Sequence, residues 1–305
     1  MEFLYILEGI RNPVLDAVFS FLTEFGGETM FLAAALYLYW CVDKQKGYYL
    51  MTVGFLGTLA NQFLKLYCRV PRPWVRDPNF TIVESAREGA AGYSFPSGHS
   101  QNSVGTFGVM ARDNRNKLGK GISIALCVLV PFSRMYLGVH TPADVLVGSG
   151  MAVGFIFLLR PVVYAKDGKY IPALFAVMAM LGLAFVAYTE LFPFPADIDA
   201  HNLESALSNS YTLMGAMAGM IVAYYADRCW LHFPTHGTAL GQGLKLVLGA
   251  LLVLGVKAGL KAPLEALFAG HMASRAVRYF LVVIVAGVVW PMTFRWFARL
   301  GKKEV

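Results

Sequence analysis

The stretch that decides the fold is residues 133–144, which read SRMYLGVHTPAD. It joins two apolar runs, near 119–137 and 143–165, and each has roughly the 20 residues that a bilayer crossing requires. Arg134, His140 and Asp144 therefore stand at a membrane boundary, where ionisable groups are costly and usually belong to a site. Pro142 suits the first turn of the second helix, because proline needs no N–H donor there. The stretch predicts a helix–loop–helix that carries a polar site.

The composition of the whole chain supports a membrane protein. Of 305 residues, 57% are hydrophobic and 15% are charged, whereas soluble domains carry about 25% charged residues. Hydrophobic runs predict nine spans, near 28–42, 47–66, 97–112, 119–137, 143–165, 171–191, 207–227, 240–258 and 274–297. Residues 13–23 look amphipathic, and we expect that helix to lie along the membrane surface.

Two further polar clusters interrupt the apolar runs. Lys65 precedes Arg72-Pro73, and the segment Pro96-Ser97-Gly98-His99 opens the third predicted span. Exposed N–H groups at a helix start attract anions, and glycine allows an oxyanion to approach the backbone closely. Arginine adds a two-pronged fork that matches a phosphate. Taken alone, each cluster has a simpler interpretation, as snorkelling cations or as an ordinary helix cap with an interfacial histidine.

The three clusters share one side of the membrane. One follows the second span, one opens the third, and one lies between the fourth and fifth, so all emerge on the same face. Lysine and arginine are more numerous on the opposite side, which includes Lys302 and Lys303 of the C-terminal tail. The positive-inside rule therefore predicts that the clusters and the N-terminus face outside and that the C-terminus faces inside.

Spacing gives the third cluster a chemical interpretation. Asp144 follows His140 by four residues, so its carboxylate can reach one imidazole nitrogen and fix the tautomer. The other nitrogen would then be free to act as a nucleophile. His-x3-Asp alone is weak evidence, but Ser133-Arg134 six residues upstream of His140 strengthens it.

The complete pattern resembles the type-2 phosphatidic acid phosphatase superfamily, which is related to the vanadium haloperoxidases. Its signatures are Lys-x6-Arg-Pro, Pro-Ser-Gly-His and Ser-Arg-x5-His-x3-Asp. All three occur here in the same order and without substitution, as Lys65…Arg72-Pro73, Pro96-Ser97-Gly98-His99 and Ser133-Arg134…His140…Asp144.

The resemblance implies a role for each signature residue. His140 would attack phosphorus to form a phosphohistidine, Asp144 would orient it, and His99 would protonate the leaving alkoxide. The remaining residues would bind the substrate phosphate, and these are Lys65, Arg72, Ser97, Gly98 and Arg134. Because fixed cations surround the phosphate, we expect no metal ion and no other cofactor.

The fold class that we predict is an all-α integral membrane protein, with a six-helix phosphatase core and about three additional C-terminal transmembrane helices. We expect an interfacial segment over 1–27, the core over 28–191 and the additional helices over 192–305. The expected setting is the plasma (inner) membrane of a bacterial-like cell, with the active site facing outside. The oligomeric state is left open, and no nucleic-acid partner is expected.

The predicted function is hydrolysis of a lipid phosphate or diphosphate, with polyprenyl diphosphate, phosphatidate, phosphatidylglycerol phosphate and sphingoid phosphate as candidates. A lipid phosphotransferase that uses the same intermediate is an alternative. A protein that binds or transports lipid phosphate without catalysis is another, although phosphate binding alone would not require His140, Asp144 and His99. A haloperoxidase is disfavoured because the site lies in a multi-span membrane chain.

Other polar groups favour simpler interpretations. The loop from Glu190 to Glu204 contains Asp197, Asp199 and His201, which could recognise a headgroup or cation but better fit a solvated acidic loop. His271, Arg275 and Arg278 share a helical face and fit an interfacial anchor better than a lipid-phosphate contact. His232 and His236 lack a third ligand for a metal ion.

Overall fold

The computed structural model describes residues 1–90 and 92–301, and this part of the chain is helical and contains no strand. Its helices are α1 (Glu2–Gly9), α2 (Pro13–Thr23), α3 (Glu28–Tyr37), α4 (Lys44–Cys68), α5 (Pro73–Arg76), α6 (Gly98–Asp113), α7 (Lys117–Tyr136), α8 (Pro142–Val163), α9 (Ile171–Leu191), α10 (Ala200–Ala226), α11 (Ala239–Gly259), α12 (Lys261–Leu267), α13 (Ala273–Ile284) and α14 (Phe294–Phe297). Wider helical turns extend three of these helices, over Leu38–Val42, Asp227–Leu231 and Val285–Val289.

Every predicted span coincides with helical structure, and the predicted starts of two helices are confirmed. The helix α8 begins at Pro142. The helix α6 begins at Gly98, and the Ser97 side chain caps it by accepting a hydrogen bond from the Ser100 N–H. Sequence predicts these starts well because proline and serine favour them for local reasons. Lys302 and Lys303, which contribute to the predicted inner charge, lie outside the described residues.

The predicted count of nine spans is too high by the criterion of length and apolarity. Five helices in the described residues meet it, or six if Pro13–Gly26 and Glu28–Val42 form one span bent by 51°. The helix α6 has 16 residues, which is short for a full crossing. The helices α4 and α10 contain polar residues within otherwise apolar sequences, Asn61 and Lys65 in α4 and Asn209 in α10. The all-α multi-pass membrane fold is confirmed.

The chain divides into two compact units. The first contains residues 1–32, 49–161 and 193–206, and the second contains residues 33–48 and 162–192 and the chain from Leu207 onward. All eight predicted site residues belong to the first unit.

In the first unit, α6 packs along α7, and the N-terminal helices α1 and α2 pack against α7 as well. The end of α7 and the residues that follow it are buried. Tyr136, Leu137 and Val139 form a hydrophobic cluster there with Ala86 and Ala90. Arg11 also binds this region, since its Nε donates to the Tyr136 carbonyl at 2.9 Å. The N-terminal segment therefore supports the loop between α7 and α8.

The second unit is stabilised by buried tryptophan and lysine side chains. Lys245 Nζ donates to the Trp40 carbonyl at 2.7 Å, and Trp40 Nε1 donates to the Ala286 carbonyl at 2.9 Å. Lys44 forms an ion pair with Asp227 at 2.7 Å and lies over the Phe233 ring at 3.9 Å. The buried Lys245 and the partly exposed Lys44 thus each have a specific partner, as burial of charge requires.

Gly138 is the residue that allows α7 to turn into the site loop. Its φ is +82°, and a Cβ there would lie 2.6 Å from Arg11 Nη2 and 3.0 Å from Phe80 Cε1. A residue with a side chain would be strained in this conformation and would also displace these neighbours.

We predict that Gly138→Ala destabilises the chain, by about 1–3 kcal/mol for the left-handed conformation alone. The measurement is thermal unfolding of the purified full chain in detergent. Gly150→Ala is the matched control, because nothing lies within 4 Å of a Cβ at that helical position. The control should leave the unfolding temperature unchanged or raise it slightly. Equal unfolding temperatures for the two variants would contradict the prediction.

Candidate active site

The loop between α7 and α8 carries His140 and is fixed by its own backbone. The Arg134 carbonyl accepts the N–H groups of Val139 at 3.1 Å and His140 at 3.2 Å. His140 itself is 2% exposed. Its ring is therefore held by a buried turn rather than by a mobile surface loop.

Arg72 directly contacts the predicted nucleophile. Its Nη1 lies 2.8 Å from His140 Nε2 and 2.9 Å from the Val139 carbonyl, to which it donates. A guanidinium only donates hydrogen bonds, so Nε2 must be the acceptor. The neutral imidazole then carries its proton on Nδ1, and the lone pair of Nε2 faces the arginine.

Asp144 lies on the other side of the ring, and a serine accompanies it. Asp144 Oδ2 is 3.5 Å from His140 Nδ1, longer than an ordinary hydrogen bond. Ser94 Oγ donates to the same Oδ2 at 2.5 Å and lies 3.4 Å from Nδ1. The Thr141 N–H donates to Oδ2 at 2.7 Å. The carboxylate is thus fixed by two donors and faces the Nδ1 proton.

Ser94 is the site residue that sequence reasoning missed. It lies outside the three signatures, and a serine before an X-Pro step has many ordinary explanations. The only available signal was its position, two residues before Pro96 in the second cluster. Its 0% exposure and its contact with Asp144 become visible only in the folded chain.

The Ser97-Gly98-His99 segment, at the start of α6, lies next to Asp144. The Ser97 N–H donates to the Asp144 backbone carbonyl at 2.9 Å, so the second and third clusters are joined directly. A Cβ on Gly98 would have only Asn61 Oδ1 nearby, at 3.8 Å, which leaves the backbone there accessible. His99 lies close enough to Arg134, Arg72 and Lys65 to experience their charges.

Lys65 and Arg72 are both oriented by the backbone of one short segment. Lys65 Nζ donates to the Tyr93 carbonyl at 2.6 Å, and Arg72 Nε donates to the Gly92 carbonyl at 2.8 Å. Each of these two bonds uses one nitrogen-bound hydrogen of its cation, and the remaining N–H groups of Lys65 and Arg72 point in other directions. The first cluster therefore converges with the other two in one buried site.

Arg134 has spare hydrogen-bonding capacity. It is 1% exposed, and its Nη1 donates to Thr23 Oγ1 at 2.7 Å. Within residues 1–90 and 92–301, its Nε and Nη2 have no hydrogen-bond partner. Buried donors without a partner are costly, so each of them calls for an explanation. An anion with several oxygens would satisfy both nitrogens.

The electrostatics of the loop residues favour a neutral nucleophile among cations. Burial, followed by the charges of Arg72, Arg134 and Lys65, lowers the pKa of His140 well below its usual range. Burial also lowers the pKa of Arg72, to about 10, so this arginine stays protonated at neutral pH. His140 can therefore present an unprotonated nitrogen beside fixed positive charge.

The other polar groups from the sequence do not join this site in the same way. Arg278 lies 4.0 Å from Glu265, and His271 Nδ1 accepts the Ala273 N–H at 3.1 Å, both in the second unit. No three His, Cys, Asp or Glu side chains in the described ranges are placed to hold a metal ion. Asp199, from the acidic loop, belongs to the first unit, and its backbone N–H donates to Tyr93 Oη at 3.3 Å.

Comparison with known proteins identifies two family matches. Residues 45–168 match the PAP2 superfamily, and residues 211–303 match the PAP2 superfamily phosphatase transmembrane extension. The first range contains all eight predicted site residues. No solved structure gave a significant match.

Curated relatives include phosphatases of several lipids. Undecaprenyl-diphosphatase BcrC of Bacillus subtilis is 32% identical over 163 residues, which cover 50% of this chain and 81% of that protein. Phosphatidylglycerophosphatase B of the same organism is 30% identical over 166 residues, 50% of this chain and 76% of the relative. A probable sphingosine-1-phosphate phosphatase of Dictyostelium discoideum is 26% identical over 258 residues, 79% of this chain and 60% of the relative. These matches, together with the three unbroken signatures, show that the chain belongs to the PAP2 superfamily of phosphatases.

Proposed function

We propose that this protein hydrolyses a lipid phosphate or diphosphate through a phosphohistidine on His140. The observation that carries the proposal is the buried contact among Arg72, His140 and Asp144, together with two nitrogens of Arg134 that have no hydrogen-bond partner among the described residues. The named relatives act on lipid phosphates, which supports a substrate of this class for the present chain.

The first chemical step transfers the phosphoryl group to the enzyme. His140 Nε2 forms the new P–N bond while the bond between phosphorus and the leaving oxygen breaks. His99 donates a proton to that oxygen, so the lipid leaves as an alcohol or, from a diphosphate, as a monophosphate. The Nδ1 proton of His140 faces Asp144, whose carboxylate supports the positive charge that develops on the ring.

The second step returns the enzyme to its starting state. Water attacks phosphorus, the P–N bond breaks, and inorganic phosphate leaves. His99, which became neutral in the first step, accepts the proton of the attacking water. The cycle therefore consumes one water and returns both histidines to their original protonation states.

Arg72 must exchange partners during this cycle. It donates to His140 Nε2 in the unliganded site, which occupies the lone pair needed for attack. A phosphate oxygen is a stronger acceptor for a guanidinium than an imidazole nitrogen is, because the contact is charge-assisted at both ends. Substrate binding would thus draw the Arg72 fork onto phosphate and free Nε2.

The remaining cluster residues stabilise charge on the equatorial oxygens. We assign this role to Lys65, Arg134, Ser97 and the Gly98 N–H. Preorganised cations in a water-poor site are effective because they need not reorganise as charge develops. The three cations Lys65, Arg72 and Arg134 supply the neutralisation for which other phosphatases use a metal ion.

We propose that the phosphatase core spans 28–191, with 1–27 as an interfacial segment and 192–305 as additional helices. We also propose that the site faces outside in the plasma membrane. A panel of lipid phosphates that includes polyprenyl diphosphate, phosphatidate and sphingoid phosphate would identify the preferred substrate. Accessibility of a cysteine introduced at exposed Arg76 to an impermeant thiol reagent would test the orientation.

We predict that His140→Ala lowers phosphate release by at least about 1,000-fold, because removal of a nucleophile eliminates the covalent route. The measurement is phosphate release from lipid phosphates by the purified full chain in detergent. His236→Ala is the matched control, since His236 is exposed and belongs to the second unit. Unchanged hydrolysis by His140→Ala would contradict the mechanism, and release only after addition of an acceptor lipid would indicate transfer.

We predict that Arg134→Met lowers kcat/KM by about 100- to 1,000-fold without lowering the unfolding temperature. Within the part of the chain that the structure describes, two buried donors of Arg134 have no hydrogen-bond partner, so an apolar side chain of similar length removes a desolvation cost. Activity assays and thermal unfolding of the same preparation measure both effects. A large drop in unfolding temperature would indicate that Arg134 is primarily structural.

We predict that extensive dialysis against EDTA leaves activity within about twofold of the untreated enzyme, because fixed cations rather than a metal ion neutralise the phosphate. Activity should be measured before dialysis, after dialysis and after divalent ions are restored. A loss that Mg²⁺ or Mn²⁺ reverses would contradict the metal-free mechanism.

A further inference from the structure

The segment between α9 and α10 reaches the site from a part of the chain that neither family match covers. The matches span 45–168 and 211–303, whereas residues 193–206 lie between them and belong to the first unit. Asn202 lies in the first turn of α10 and is buried, with 8% of its surface exposed, whereas the sequence places it in a solvated acidic loop. An asparagine that is buried at the start of a helix calls for a structural reason.

The Asn202 carboxamide has a defined orientation. Its Nδ2 donates to Asp199 Oδ1 at 2.8 Å, and its backbone N–H donates to the same oxygen at 2.8 Å. An ionised carboxylate only accepts hydrogen bonds, so the amide nitrogen must face Asp199. The carboxamide oxygen then faces the Tyr93 N–H and accepts from it at 2.7 Å.

The backbone that Asn202 holds is the same backbone that orients two phosphate-binding cations. Tyr93 and the preceding Gly92 supply the carbonyls that accept from Lys65 Nζ and Arg72 Nε. Gly92 has φ +78°, and a Cβ there would lie 2.2 Å from Asn202 Oδ1. The Asn202 oxygen thus packs directly against the turn that presents both carbonyls.

We propose that Asn202 is a positioning residue of the active site, which acts through the Gly92–Tyr93 backbone on Lys65 and Arg72. Asp199 acts one step further out, because it fixes the orientation of the Asn202 amide. This inference rests on the proposed function, since it assumes that Lys65 and Arg72 bind the substrate phosphate. Outer contacts of this kind commonly change site affinity by about 10- to 100-fold when they are removed.

The test compares Asn202→Ala with wild type in the purified full chain. We expect KM for a lipid phosphate and the inhibition constant of inorganic phosphate to rise about tenfold, because both depend on the aligned cations. Asn116→Ala is the matched control. The Asn116 side chain also accepts hydrogen bonds from backbone N–H groups, those of Leu118 and Gly119, but it lies between α6 and α7 at the ends of these helices that are far from the site. That variant should lose stability while both constants stay at their wild-type values.

Asn202→Asp supplies a second readout that a merely structural role would not affect. The new carboxyl would share one proton with Asp199, because two carboxylates at this distance cannot both ionise readily. Protonated, it reproduces the hydrogen bonds of asparagine; ionised, it repels Asp199. At each pH, the inhibition constant of phosphate for Asn202→Asp is divided by the constant for wild type. This ratio should fall toward one as the pH is lowered from about 7 to about 5.

The outcomes distinguish a failure of the inference about Asn202 from a failure of the proposed function. If Asn202→Ala lowers only stability and leaves both constants unchanged, as we expect of Asn116→Ala, Asn202 is a structural residue and the inference is wrong. A pH-independent ratio for Asn202→Asp would also overturn it, and this variant keeps the test valid if Asn202→Ala fails to fold. If His140→Ala retains full activity, the proposed function fails instead.

Discussion

The buried contact between the Arg72 guanidinium and His140 is the constraint on which the rest of the first unit depends. Removal of a cation from water is costly, and here three cations share one small region with an imidazole and a single carboxylate. Such a cluster persists only if surrounding groups fix every member in place. Much of the architecture near the site provides this fixation, through backbone carbonyls, helix starts and one tight glycine turn.

Backbone groups perform most of this positioning. The Arg134 carbonyl closes the loop that carries His140, while the Val139, Gly92 and Tyr93 carbonyls accept from the cations. Neutral carbonyl dipoles orient a guanidinium or ammonium without neutralising it. The positive charge therefore remains available to a phosphate, which would not be true if each cation had its own carboxylate partner. The second unit shows the contrast, since Lys44 there forms a close ion pair with Asp227.

The single carboxylate of the site illustrates how far sequence spacing can be trusted. The four-residue interval predicts that Asp144 can reach His140, and the two side chains do face each other, at 3.5 Å. The interval does not reveal that Ser94 and the Thr141 N–H hold the carboxylate more closely than the imidazole does. Sequence patterns report contacts within one helical turn, whereas Ser94 arrives from a loop 50 residues away. The predicted count of spans exceeds the number of long apolar helices for a related reason, because an apolar run does not report how long its helix is, and α6 ends after 16 residues.

The sequence by itself determined the helical membrane fold, the starts of α6 and α8, and the identity of the eight signature residues. These follow from local physics: apolar length, the caps that serine and proline provide, and charges that hydrocarbon disfavours. Only the tertiary structure decided which Arg72 nitrogen meets which His140 nitrogen, that two Arg134 donors have no partner among the residues that the structure describes, and that Asn202 supports the Gly92–Tyr93 turn. These contacts join residues that are far apart along the chain, and packing of the helices and loops brings them together.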